Sequence, residues 1–236
     1  MKQLSKTRSI YYHLYPGILI TLAFIVLAPL SISYGYPPQF AMLICIILVA
    51  VPVLTIHLII AKKTEGADQI SHLNGLNNRL PPAKLALYVL GLIVGAFVIW
   101  GITQPADMYI SRHFFKWLPS WFTVQNFAGY SRDKIKITLI LNLILNGIIA
   151  PYAEELYFRG YLLPRMNAWG KYAFVINAVL FSLYHFWQPY VYLTLILSLM
   201  PMIYLVYKTR DIRIGILTHS LLNMIGAILS FAMLQR

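Results

Sequence analysis

Glu154 and Glu155 stand side by side in a chain of 236 residues that holds only 7 Asp and Glu. They follow the largely apolar run 135–150 and precede Leu156-Tyr157-Phe158, which puts them in or at the edge of a membrane span. A carboxylate at mid-bilayer costs about 2.5–3.5 kcal/mol on insertion scales, and a like-charged neighbour adds to that. Such a pair reads as a functional site, because a carboxylate there is able to act as a general base toward water. Glu155 and Arg159 are four apart with the acid N-terminal, the favourable order for an ion pair on a helix. Glu154 projects about a quarter-turn away, so one acid is neutralised locally while its neighbour stays free.

Two further groups are polar and helix-spaced inside apolar runs: Phe181 with His185, and His219 with Asn223. Residues four apart share a helix face, so each pair addresses one point in a bundle interior. Imidazoles bind a divalent metal or relay protons, and an amide donates to an oxyanion. Taken singly, each has a blander reading. An intramembrane His or Asn more often hydrogen-bonds a neighbouring helix, Phe181 fits a core, and Glu155 with Arg159 fits a structural ion pair. His13, His72 and His113 fall in polar or interfacial segments and His57 near a span end, and no chemistry is assigned to them.

These residues need membrane-spanning elements to position them, and the composition supplies nothing else. Hydrophobic residues make up 59% of the chain and the mean hydropathy is +0.68. An all-α polytopic bundle of about seven spans (six to eight) is predicted, at 17–34, 40–61, 85–103, 135–157, 172–187, 190–207 and 212–234, each near the roughly 20 residues that a span requires. Residues 1–134 form the N-terminal spans with the longer polar connections 62–84 and 104–134. Residues 135–236 carry the candidate chemistry on the C-terminal spans of the same integrated bundle. The single cysteine, Cys45, lies in an apolar run and reads as a small buried hydrophobe. The net charge of +12 is scattered among loops, without a basic patch and stacking aromatics, so nucleic acid is not an expected partner. With the N-terminus inside, 13 of the 19 Lys and Arg fall on the inner side, the orientation the positive-inside rule favours. Lys2, Lys6 and Arg8 precede a long first apolar run without a small-residue cleavage site, as in a signal-anchor helix.

In combination the three groups are more specific. Glu154-Glu155…Arg159, then Phe181…His185, then His219…Asn223 resembles the CPBP family of intramembrane proteases, also called the CAAX-protease and bacteriocin-processing or Abi family. The resemblance covers roughly residues 142–226. It implies that Glu154 is the base activating water, that His185 and His219 hold a zinc together with Glu154 or else polarise the water and the scissile carbonyl, and that Asn223 steadies the oxyanion. Glu155, Arg159 and Phe181 would support the site. It also implies membrane lipids and a membrane-associated protein or peptide substrate, prenylated in some relatives and linked to bacteriocin self-immunity in others. A bacterial plasma membrane with the N-terminus cytoplasmic suits the short loops and the charge pattern.

The rival readings are a proton-coupled transporter and a non-catalytic immunity or scaffold protein. Intramembrane Glu, His and Arg also build proton relays, but no internal repeat pairs the two halves. A scaffold would lack one of the motif residues, and all are present here. By simple counting, His185 and His219 differ in depth by roughly 10 Å, a mismatch that tilt or a short re-entrant piece near residues 187–189 would remove.

Overall fold

The structure, a computed structural model, describes residues 1–234. Seven helices order these residues: α1 (Lys6–Ser33), α2 (Pro38–Glu65), α3 (Pro82–His113), α4 (Arg132–Arg165), α5 (Ala173–Tyr184), α6 (Tyr192–Thr209) and α7 (Arg213–Leu234). All but α5 are long and apolar enough to cross a membrane. The helix starts follow local chemistry. The Ser5 hydroxyl accepts the Arg8 N–H at 3.2 Å and the Ser131 hydroxyl accepts that of Lys134 at 3.4 Å, while prolines open α2 and α3 where no N–H is needed. On α3, Leu87, Leu90, Val94, Val98 and Ile102 are all exposed at three- and four-residue spacing, the stripe that a lipid-facing helix presents.

Four elements differ from their predicted spans, α4 among them, since it runs on past residue 157 to Arg165. α1 begins at Lys6 rather than at residue 17, and this buries His13 inside the bundle instead of leaving it in an interfacial segment. α3 continues through the expected loop 104–134 as far as His113, because Asp107 lies on its buried face and hydrogen-bonds Thr194 of α6 beside Thr103. α5 is only 12 residues long, which at 1.5 Å per residue is about 18 Å against a hydrocarbon core of about 30 Å. It is bounded by Gly170, at a positive φ of 54°, and by His185, whose ψ of 53° ends the helix.

Helix α4 is irregular, and the irregularity places the site. Leu145–Ile149 and Glu155–Leu162 are π-type turns, in which Ala150 and Leu163 donate five residues back to Leu145 and Phe158. Such turns rotate the residues beyond them and recur at functional sites. From Tyr157 to Arg165 every residue of α4 is buried, with Phe158 packed against Phe181 and Tyr184 of α5 at ring separations of 4.9 Å.

The connection between α2 and α3 is tied to the end of α4 and to the junction of α6 and α7. Arg165 donates to both carboxylate oxygens of Glu65 at 2.9 Å and to the carbonyls of Leu73 and Tyr161. Asp211, between α6 and α7, accepts from the Leu80 N–H at 2.8 Å and pairs with Arg213 at 2.6 Å. Burial pushes the Asp211 carboxyl up, but the Arg213 guanidinium and the N–H groups of Leu80 and Arg213 together outweigh it and hold the group below its usual 3.8. A depressed folded-state value means the tie stabilises fully above pH 3.8 and weakens as the pH falls below it. Proteolysis of segment 66–81 is therefore expected to be slow and constant down to that pH and faster under it, with Asp211→Asn cleaved quickly throughout. Equal rates for the wild type and Asp211→Asn at neutral pH would contradict this role.

Candidate active site

Glu154 ends the regular part of α4 before the second π-type turn, and Glu155 begins that turn. The two acids part company there. Glu155 is fully buried behind the site, its Oε1 3.1 Å from Arg159 Nη1 and 3.0 Å from His219 Nδ1. The Arg159 guanidinium lies 3.9 Å from the centre of the Phe181 ring, so charge and a π face hold it. Gly215 of α7 makes room for this arrangement, since a Cβ there would collide with Glu155 Oε2.

Glu154 faces the other way, into a cavity of about 370 Å³ between the helices. Its Oε1 accepts the Tyr184 hydroxyl at 3.2 Å, and its Oε2 stands 3.8 Å from His219 Nε2. His219 thus sits between both glutamates. Its Nδ1 carries the hydrogen given to the Glu155 carboxylate, which directs Nε2 toward Glu154. His185 follows the last turn of α5, and its Nδ1 lies 2.8 Å from the Phe181 carbonyl, so Nδ1 is the protonated nitrogen and Nε2 is left for the cavity.

Asn223 has a more particular job. The first π-type turn sends the Ala150 N–H to Leu145, and Pro151 has no N–H to offer, so the Asn146 carbonyl is left without a backbone donor. Asn223 Nδ2 covers it at 2.8 Å and retains a second N–H.

Glu154, His185, His219, Asn223 and Phe181 therefore line one cavity, while Glu155 and Arg159 support it from behind. Both histidine rings reach the Phe181 ring despite the counted offset, His185 at 4.9 Å and His219 at 6.0 Å, with the chain turning at 185–189 after α5 stops at Tyr184. Several residues escaped the sequence reading. Tyr184 shows only as the neighbour of His185. Gln39 and Asn142, joined at 2.7 Å in the cavity wall, are polar residues at the start of α2 and within α4. Asn177 on α5 binds His13 of α1 at 2.9 Å.

Among the described residues no three His, Cys, Asp or Glu side chains are grouped to hold a metal. One nitrogen of each histidine is hydrogen-bonded to Phe181 or Glu155, and the other is left toward the cavity.

Fold and cavity together define a helical integral membrane protein with a polar site enclosed among its C-terminal helices. Residues 136–225 match the family described as Rce1-like, type II CAAX prenyl endopeptidase, one of the CPBP proteases that the three motifs resemble. The matched segment carries all three motifs, whereas α1, α2 and α3 lie outside it. Neither the curated proteins nor the solved structures gave a match. The family supports a membrane protease of the CAAX type acting on a membrane-associated protein.

Proposed function

We propose that this protein is an intramembrane endopeptidase that hydrolyses a peptide bond of a membrane-associated protein with water activated by Glu154. The observation that carries this reading is the convergence of Glu154, His185, His219 and Asn223, from three stretches of the matched segment, on one cavity. In the proposed step Glu154 takes a proton from water, and His185 Nε2 accepts the water's other hydrogen and aims its oxygen at the scissile carbonyl carbon. The carbonyl oxygen becomes an oxyanion, met by the unspent N–H of Asn223. Glu154 then returns its proton to the leaving amine, so water and one peptide yield a carboxylic acid and an amine, the acid passing its proton on to the amine as they leave. Glu155 holds the His219 ring in the tautomer that faces Glu154.

An apolar wall built from Ile20, Met42, Leu43, Ile46, Phe97, Trp100 and Leu199 supports a substrate with a hydrophobic or prenylated segment. The inside bias of Lys and Arg supports a cytoplasmic N-terminus in a bacterial plasma membrane. The experiment is cleavage of a fluorogenic panel, prenylated and unprenylated, by the purified protein in detergent. Cleavage of prenylated peptides alone would support CAAX-type processing. Inertness toward the whole panel would overturn the protease reading in favour of a carrier or an immunity scaffold. A chelator added to active enzyme is expected to leave the rate unchanged, and a loss restored by zinc would bring a metal back into the site.

A further inference from the structure

Helix α1 lies outside the matched segment, and it touches the site's supports at Gly17, His13 and Tyr12. At Gly17 the α1 backbone runs against the end of α5. A Cβ at this position would collide with the Tyr184 carbonyl oxygen and come within 3.0 Å of Cδ2 of its ring. One turn earlier, His13 is wholly buried, its Nδ1 donating to the Ser9 carbonyl at 2.7 Å. Its Nε2 therefore accepts from Asn177 Nδ2 at 2.9 Å, and the other hydrogen of that amide goes to the Phe158 carbonyl at 3.0 Å. Next to it, the Tyr12 carbonyl accepts the Tyr157 hydroxyl at 2.9 Å.

These ties converge on one side chain. Phe158, anchored through Asn177, packs its ring 4.9 Å from that of Tyr184, and Gly17 abuts the same tyrosine's backbone. Tyr184 is fully buried, and its hydroxyl is the donor to Glu154 Oε1. Fixing Oε1 leaves Oε2 as the lone pair toward water. A hydroxyl presented by the last residue of a twelve-residue helix needs an outside brace, and α1 supplies it.

We propose that α1 is part of the catalytic apparatus, with Gly17 and His13 as positioning residues that seat Tyr184 so that its hydroxyl orients the Glu154 carboxylate. The proposal rests on Glu154 being the base. It gives the N-terminal helix a task in the reaction that the C-terminal motifs by themselves do not reveal.

The test is steady-state cleavage by Tyr184→Phe, Gly17→Ala, the double variant and Gly91→Ala. Gly91 lies on α3, where a Cβ meets nothing within 4 Å, so its variant controls for the chemistry of the substitution. By propensity, alanine favours a helix at either glycine, so a loss at Gly17 alone reports the clash. Tyr184→Phe and Gly17→Ala are each expected to lower kcat on the order of tenfold with KM unchanged, as a misplaced group does. The double variant should be no worse than Tyr184→Phe, because both changes remove one interaction. His13→Ala should lose kcat in the same way and His13→Gln, which keeps an acceptor for Asn177, should recover most of it. Wild-type kcat in Gly17→Ala, losses that multiply in the double variant, or no recovery in His13→Gln would each overturn the positioning role. Glu154→Ala run alongside reads the base separately. Full cleavage there removes the base assignment and this proposal with it, whereas loss there with wild-type kcat in Gly17→Ala overturns the positioning alone.

Discussion

Glu154→Ala is expected to lower kcat for peptide hydrolysis on the order of a thousandfold, within the range a positioned general base contributes. Among the described residues lining the cavity, Glu154 is the one carboxylate, so no neighbouring acid there takes over its task. Glu154→Gln should lose as much while keeping an oxygen for the Tyr184 hydroxyl, which separates proton transfer from packing. The melting temperature should hold or rise in both, because a carboxylate that is only 7% exposed is relieved of its desolvation. The comparison is initial rates beside melts of the same preparations. Cleavage within a few-fold of wild type in Glu154→Gln would remove Glu154 as the base.

The second large effect falls on stability rather than on rate. Arg159→Leu is expected to destabilise the protein by about 3–5 kcal/mol, since it leaves the buried Glu155 charge without its partner. The guanidinium's only close company is Glu155 and the Phe181 face, and its N–H groups find no well-directed hydrogen bond among the described residues. The pair is thus held by charge in a dry site, where removing one member is costly. Replacing both, Glu155→Gln with Arg159→Leu, should recover much of the loss, because no uncompensated ion remains and His219 keeps an acceptor. Thermal melts of the three variants in one detergent decide the matter. A single variant as stable as wild type, or a double variant worse than the single, would mean that the pair is not what holds this corner.

Much of this architecture was legible in the residues themselves. Seven apolar stretches gave seven helices in the expected order, because a chain this apolar satisfies its backbone in a membrane by folding each stretch as a helix. The Glu155–Arg159 pair was readable from a spacing of four, and it forms at 3.1 Å. The helix ends were harder to read. Residues 6–16 of α1 and 104–113 of α3 contain polar groups that read as loop, yet His13 and Asp107 find buried partners on α5 and α6. Hydropathy registers the polarity of such a side chain and has no access to the partner that offsets it.

The sequence by itself determined which side chains are candidates for the chemistry and that helices in a membrane hold them, since residue type, spacing of four and apolar length are local properties of the chain. Only the tertiary structure decided how they meet. Glu155 meets His219 of α7 while Glu154 faces the cavity, His185 and His219 reach the same Phe181 ring, and Gly17 lets α1 close on Tyr184. Each of these depends on atoms from helices far apart in the chain, and no periodicity within one segment encodes the distance between two.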